Sequence, residues 1–305
     1  MTDWLSDNRR FLLRFAGTLL AIGLIVLLLR GQGWDEITKA FKQLSFSQIL
    51  LAFLLILLSR FCVVVRWYIL LRSGSVKITF SDALALTFTG LFSNNFLPTT
   101  IGGDVVRLAG AMQMGYDRAV SLASLVADRL IGVLAMVFTL PFGVIPAWHI
   151  FVPASAASAL AVPPVFQRMW DFVKRTLQTF STWFKNPLAL LAALACTWGH
   201  VICTCVALDI LISGLGGQMS FGLVVGLWSI AYFVTLVPIS INGYGVQELS
   251  LTFLFSRVGN LSAAVGLTLA VLIRVMYMAA SVPGAAYLPT IMAAMEPDEK
   301  TGLRD

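Results

Sequence analysis

Six charged residues lie within or beside strongly apolar stretches of this chain, where an ionisable side chain needs a partner or water. They are Asp104, Arg107, Asp128, Arg129, Glu248 and Arg274. Charged residues at membrane depth are costly, and they commonly line a substrate or ion path. Guanidinium groups offer several N–H donors to a phosphate, and carboxylates balance their charge or contact an amine or hydroxyl group. These residue types predict a site that binds an anion.

The spacing of these charges predicts which of them meet. Asp104 and Arg107 are three residues apart, so on a helix they can form a salt bridge that is purely structural. Asp128 and Arg129 are adjacent, and on a helix their side chains diverge by about 100°. Each of them is therefore expected to pair with a residue on another helix.

Two similar interruptions of apolar sequence must position these charges. One begins at Pro98 and the other at Pro238, and both follow the pattern P-x-[ST]-I-[GN]-G-x-x-V. The interruptions contain residues suited to close backbone approach, to hinge motion or to bonding freed backbone groups. They are Asn95, Gly102, Gly103, Asn242, Gly243 and Gly245. Backbone that is not helical cannot face lipid, so both breaks are expected to line protein or water.

The similarity extends outward into two repeat units, residues 79–141 and 220–283. Each has an apolar run of about 16 to 19 residues, long enough to cross the roughly 30 Å hydrocarbon layer. A break, a short segment, Gly115 or Gly259, and a further apolar helix follow. Paired interrupted helices point to a transport site near the midplane. The alternative is that proline and glycine only kink two helices.

The breaks differ in the sign of their charge. Glu248 stands one place after the position that matches Arg107. If the breaks meet at a pseudo-twofold axis, these two side chains approach from opposite sides. With Arg129 and Arg274 nearby, such a site has net positive charge and suits a phosphate headgroup.

Composition sets the class of protein. Of 305 residues, 58% are hydrophobic and 12% charged, and the mean hydropathy of +0.87 is far above that of soluble domains. We predict an all-α, polytopic membrane protein with about six to eight transmembrane helices and two internal repeats containing broken or re-entrant helices. The net charge of +6 fits contact with anionic lipid headgroups. No nucleic acid, metal or other cofactor is predicted.

The rest of the chain belongs to the same domain, so that residues 1–295 are predicted to form a single integral membrane domain. The apolar run 11–29 reads as a first span with a cytoplasmic N-terminus. The second span, residues 49–71, contains Arg60, which needs a partner or cavity, and Arg66, which we expect to reach the headgroups. Residues 165–184 predict an amphipathic helix at the interface. Residues 296–305 form a short charged tail.

The two break motifs resemble a known family when they are taken with Arg66-Trp67 and Asp128-Arg129. The motifs are N-x-F-L-P-x-x-I-G-G-D-V-V-R from Asn94 and P-I-S-I-N-G-Y-G-V-Q-E from Pro238. The resemblance is to the lysylphosphatidylglycerol synthase transmembrane family, also described as flippase-like, and it covers roughly residues 10 to 290.

In bifunctional members of that family, such a region moves an aminoacylated phospholipid between leaflets. A separate soluble domain performs the aminoacyl transfer. This sequence shows no counterpart of that domain, so the resemblance implies a stand-alone member and not a synthase. Stand-alone members are associated with glycolipid, polyprenyl-linked and hopanoid pathways, so the resemblance leaves the cargo open.

Three functions remain in view. The first is a translocase of the cytoplasmic (inner) membrane that moves a phosphate-containing lipid or lipid-linked precursor between leaflets for envelope biogenesis. The second is a membrane partner or scaffold of a lipid or glycan biosynthetic enzyme. The third is a membrane-embedded lipid-phosphate transferase. The transferase is disfavoured because the chain has no acidic pair such as D-x-D and no histidine near a break. The expectation is therefore a transporter and not an enzyme.

Overall fold

A computed structural model of the chain describes residues 42–97, 101–151, 186–237, 240 and 243–288. Several predictions fall on other parts of the sequence. Outside the described residues lie the first span, the amphipathic segment 165–184, the tail, and three of the predicted site residues in the breaks: Pro98, Pro238 and Asn242.

Within the described ranges, all regular structure is helical. Nine α-helices and one 3₁₀ helix lie with defined bounds inside the described residues. In chain order they are α1 Phe46–Ser73, α2 Phe80–Ser93, α3 Gly102–Gln113, α4 Arg118–Thr139, α5 Pro141–Phe151, α6 Pro187–Gly214, α7 Phe221–Leu236, α8 Val246–Arg257, α9 Ala263–Ser281 and the 3₁₀ helix Val282–Ala286.

In the part of the chain that the structure describes, four helical segments are long and apolar enough to cross a membrane. They are α1, α4, α6 and the continuous segment formed by α9 and the 3₁₀ helix. Each segment is apolar enough to lie in lipid and long enough to span it. A continuous helix is also the form in which all backbone N–H and C=O groups are hydrogen-bonded within the segment. The prediction of an all-α, polytopic membrane protein is confirmed.

The two units have the same order of elements. The first consists of α2, a break, α3, a link at Gly115 and α4, and the second consists of α7, a break, α8, a link at Gly259 and α9. Gly115 has a φ of +80°, a conformation that favours glycine at a helix end. Thr79 caps α2 and Ser262 caps α9 by accepting backbone N–H donors.

The first opening helix is shorter than its apolar run suggested, whereas the second has the expected length. α2 has 14 residues and ends at Ser93, before the first break, and α7 has 16 residues and ends at Leu236. At 1.5 Å per residue they reach only about 21 and 24 Å. The expectation that each crosses the hydrocarbon layer was wrong. In the first unit the end of the apolar run belongs to the break, and in the second a helix of the expected length falls short of roughly 30 Å.

Close helix packing holds the units together. α1 packs along α6 for much of its length, and α5, which begins at Pro141, packs against α7. A Cβ atom built on Gly226 of α7 would lie 2.0 Å from the backbone nitrogen of Gly143 in α5. Such contact requires residues without side chains at both positions.

Candidate functional site

The first group of charges joins three helices. The carboxylate of Asp128 in α4 accepts from Arg66 Nε of α1 at 2.6 Å, and it pairs with Arg107 Nη1 of α3 at 3.4 Å. Asp104 in α3 pairs with Arg107 at 3.2 Å and also bonds Arg129 Nε of α4. Adjacent Asp128 and Arg129 therefore contact different partners, as their divergence on a helix requires.

Arg66 lies in the protein interior and not at the headgroups. It is 7% exposed, and its Nη1 also donates to Thr197 Oγ1 of α6 at 3.2 Å. The neighbouring Trp67 is fully buried and donates to Ser124 Oγ at 3.1 Å. The prediction that Arg66 snorkels beside aromatic anchors was wrong, because a buried carboxylate on α4 offers it a partner within the membrane.

The second group of charges follows the second break. Glu248 Oε1 accepts from Arg274 Nε at 2.5 Å, and Glu248 Oε2 accepts from the backbone N–H of Gly245 at 2.8 Å. Arg274 Nη2 reaches the carbonyl of Gly243 at 3.4 Å, and its guanidinium lies 4.8 Å from the ring centre of Tyr244. Arg274 of α9 thus contacts the second break in two ways, directly at the carbonyl of Gly243 and through Glu248, which bonds the N–H of Gly245.

The two breaks touch each other. The hydroxyl of Tyr244 in the second break donates to the carbonyl of Asn95 in the first at 2.9 Å. Asn95 Nδ2 in turn donates to Ser281 Oγ at the end of α9, at 2.8 Å. Asn95 therefore bonds the second unit with both its backbone and its side chain.

Arg107 and Glu248 each pair within their own unit. Arg107 bonds Asp104 and Asp128, and Glu248 bonds Arg274. The contact between breaks is made instead by Tyr244 and Asn95. The structure thus joins the two breaks through neutral groups and leaves Arg107 and Glu248 each paired inside its own unit.

The predicted glycines serve different purposes. A Cβ on Gly103 would lie 2.2 Å from the carbonyl oxygen of Gly90 in α2, and one on Gly102 would meet the side chain of Leu97 at 2.6 Å. Both positions allow α3 to start against the end of α2. Gly243 and Gly245 have φ values of +71° and +78°, which L side chains rarely adopt. They allow the chain to reverse before α8.

Two cavities adjoin these charges. The first has a volume of about 250 Å³, and charged side chains on its wall are Arg60, Arg66, Asp104, Arg107, Asp128 and Arg129. The second has a volume of about 300 Å³, and polar or aromatic side chains on its wall include Trp228, Tyr232, Thr235, Gln247, Arg274 and Tyr277. Both walls contain Arg60, Arg129, Met136, His200 and Tyr232, so the cavities are neighbours.

Positive charge is in excess at these cavities. Among described residues, the two walls contain five arginines and two aspartates. Glu248 adds a third carboxylate through its bond to Arg274. The predicted positive site thus extends over both cavities and includes Arg60 and Arg66.

Hydrogen bonding at these charges is one-sided. Every carboxylate oxygen of Asp104, Asp128 and Glu248 accepts a bond. By contrast, Arg107 Nε and Nη2 and Arg60 Nε are buried without a hydrogen-bond partner among the residues described. Buried donors without partners are costly, so these atoms suit a ligand that accepts hydrogen bonds.

Sequence reasoning missed part of this site. The expectation that Arg60 needs a partner or a cavity agrees with its place on both cavity walls, and its guanidinium lies 4.0 Å from the ring centre of Tyr277. His200 is a lone histidine that gave no sequence signal, yet it also lies on the wall of both cavities. Trp228, Tyr232 and Gln247 gave no signal, since aromatic and amide side chains are common in apolar helices and near their ends.

Two comparisons relate this chain to known membrane proteins. A UPF0104 membrane protein of Pyrococcus horikoshii is 26% identical over 122 residues, which cover 39% of this chain and 36% of that protein. The alignment thus spans little more than a third of the relative. The family model described as lysylphosphatidylglycerol synthase TM region matches residues 14–284, which include both breaks and all the charges described above. The chain belongs to the lysylphosphatidylglycerol synthase TM region family.

Proposed function

We propose that this protein is a lipid translocase that moves a phosphate-containing lipid or lipid-linked precursor between the leaflets of the cytoplasmic membrane, for envelope biogenesis. The headgroup enters the cavities beside the two breaks, and the acyl or prenyl chains stay in the bilayer. In this proposal the N-terminus is cytoplasmic, the cargo is a membrane lipid, and the protein performs no covalent chemistry.

One observation supports this proposal above the others. Cationic cavities lie at the meeting point of two interrupted helices in an apolar, membrane-spanning protein, and Arg107 contributes to the first of them with two nitrogens that have no hydrogen-bond partner among the residues described. Its guanidinium is held by Asp104 and Asp128 and lies 4.1 Å from the ring centre of Trp67. A phosphate oxygen is the acceptor that best matches a guanidinium edge.

The proposal gives the charged residues separate tasks. Arg107, Arg129 and Arg274 hold the phosphate, and their carboxylate partners keep the empty site from accumulating uncompensated charge. Arg129 is 40% exposed at its side chain and contributes to both cavity walls. It is therefore placed to keep contact with a phosphate that moves from one cavity to the other.

The test is leaflet exchange in liposomes that contain the purified protein. Labelled phospholipids and polyprenyl phosphates serve as cargo, and wild type is compared with Arg107→Ala and Arg274→Ala. We expect each variant to lower the exchange rate at least roughly tenfold, the effect of losing about 1.4 kcal/mol of binding. Arg107→Lys should fall between, because it keeps the charge but lacks the planar fork.

Matched controls remove the same charge elsewhere. Arg118→Ala and Arg257→Ala alter exposed arginines that are absent from both cavity walls in the described part of the chain. We expect their exchange rates to stay within about twofold of wild type. Equal loss in controls and cavity variants would show that net charge, and not the cavity, governs exchange.

Two other outcomes would overturn the proposal. Product formation by purified protein with lipid donors and acceptors would favour the transferase. Absence of exchange with the whole panel, together with a stoichiometric enzyme that co-purifies, would favour a membrane partner of that enzyme.

A further inference from the structure

The described wall of the second cavity combines arginines with neutral polar and aromatic side chains. We infer that this cavity binds a headgroup whose alcohol part, esterified to the phosphate, has free hydroxyl groups and no positive charge, such as a glycerol or sugar phosphodiester. We infer also that it disfavours an aminoacylated headgroup. The inference rests on the proposed function and adds the class of cargo.

The first argument is the absence of an available carboxylate. Among the described residues on the wall of the second cavity there is no aspartate or glutamate, whereas Arg60, Arg129 and Arg274 are all present. The nearby Glu248 is turned to Arg274 and to the N–H of Gly245, and Arg129 is paired with Asp104. An ammonium group placed there would compete with these arginines for their carboxylates, would meet Arg60 as well, and would find no carboxylate on the described wall, which is unfavourable at low effective dielectric.

The second argument is a buried neutral donor. Trp228 is 7% exposed, and its Nε1 has no hydrogen-bond partner in the part of the chain that the structure describes. Indole N–H groups donate only, so a ligand must supply an oxygen. Trp228 lies on the wall of the second cavity, with its ring centre 6.0 Å from that of Tyr277. A hydroxylated headgroup supplies both the oxygen and a C–H surface for the rings.

The third argument is the kind of polar group that shares this wall. Tyr232, Thr235 and Gln247 are neutral, and hydroxyl and amide groups both donate and accept hydrogen bonds. Headgroup hydroxyls also do both, so each can be matched without a change of protonation. A site built to bond hydroxyl groups discriminates strongly against analogues that lack them, because its own polar groups then stay unpaired.

The test is competition for binding to the purified protein in nanodiscs, with fluorescent phosphatidylglycerol as the probe. Lysyl-phosphatidylglycerol tests charge, and phosphatidylpropanol tests hydroxyl groups because it is a phosphodiester of equal charge without them. We expect unlabelled phosphatidylglycerol and phosphatidylinositol to compete roughly tenfold better than either. Equal or stronger competition by lysyl-phosphatidylglycerol would overturn the charge part. Equal competition by phosphatidylpropanol would overturn the hydroxyl part.

One near-isosteric change should invert the charge preference. Gln247→Glu adds a carboxylate to the second cavity wall, and we expect it to improve competition by lysyl-phosphatidylglycerol roughly tenfold relative to phosphatidylglycerol. Gln113→Glu makes the same change at an exposed position at the end of α3, and it should leave the preference unchanged. If neither or both variants shift the preference, the second cavity does not set it.

A third variant separates the indole donor from its ring. Trp228→Phe should lower the preference for phosphatidylglycerol over phosphatidylpropanol severalfold while both lipids still bind, since the arginines remain. An unchanged preference would contradict the role of the indole N–H. Because these measurements detect binding, selective binding without leaflet exchange would overturn the proposed function alone, and leaflet exchange without selectivity would overturn this inference alone.

Discussion

Asp128 compensates two buried arginines from different helices. It pairs with Arg66 of α1 and Arg107 of α3, and all three residues are at most 7% exposed. Desolvation of so many charges is costly, and only their mutual attraction offsets it. Asp128 therefore stabilises the fold as well as the site, because without it both guanidinium groups would lose a counterion.

We predict that Asp128→Asn lowers the free energy of unfolding by about 3 kcal/mol, the low end for a broken buried ion pair. The change can be measured by titration of the purified protein with SDS. Asp209→Asn is the matched control, because Asp209 is a partly buried residue of α6 that does not appear on either cavity wall in the described part of the chain. Equal loss in both variants would contradict a special role for Asp128.

The sequence could identify most of these charged residues but not their partners. A charge inside an apolar stretch stands out, and adjacent positions such as Asp128 and Arg129 must diverge on a helix. Partner choice depends instead on which helix faces which, and this is set by packing between distant segments. Arg66 shows the consequence, since its position near a helix end favoured the headgroups until Asp128 and Thr197 were seen beside it.

At the scale of elements, the first break depends on the contact between α2 and α3. The carbonyl of Gly90 approaches Gly103 so closely that a Cβ there would lie 2.2 Å away, and the N–H of Gly103 donates to Asn94 Oδ1 at 2.7 Å. Arg107 follows one turn later, and its side chain lies against Gly90. The glycines thus set the depth at which Arg107 enters the first cavity.

We predict that Gly103→Ala costs about 1 to 3 kcal/mol of stability, the usual cost of an extra methyl group in a packed contact. It should also lower leaflet exchange, because α3 must move with Arg107. Gly222→Ala is the control, since a Cβ there would meet only Phe142 at 3.8 Å, an ordinary contact. Stability and exchange that match wild type in Gly103→Ala would show that the break can relax without moving Arg107.

Element order could be predicted from the sequence, whereas helix ends could not. The repeated motif indicated the order of both units because proline and glycine recur in it at the same spacing. The length of α2 was overestimated, because Phe96 and Leu97 in the first break are as apolar as the helix before them. Hydropathy measures transfer into lipid, and it does not distinguish a helix from irregular backbone packed inside protein.

At the scale of the molecule, Asn95 joins the two units. Its carbonyl accepts from Tyr244, and its amide donates to Ser281. Tyr244 also lies beneath the guanidinium of Arg274, which contributes to the wall of the second cavity. A phosphate that draws Arg274 toward the cavity would therefore change the position of Tyr244, whose hydroxyl is bonded to Asn95 of the first break. This gives a physical connection between occupancy of one break and the conformation of the other.

We predict that Tyr244→Phe increases backbone hydrogen exchange roughly fivefold in both breaks, the effect of losing a bond worth about 1 kcal/mol. The measurement is hydrogen–deuterium exchange with mass spectrometry on peptides that contain residues 93–97 and 243–246. Tyr287→Phe removes a hydroxyl from an exposed tyrosine past the 3₁₀ helix and should leave both peptides unchanged. Faster exchange confined to the second break would mean that the units open independently. A change in both breaks would follow from the single hydroxyl that connects them, because the substitution alters only one unit.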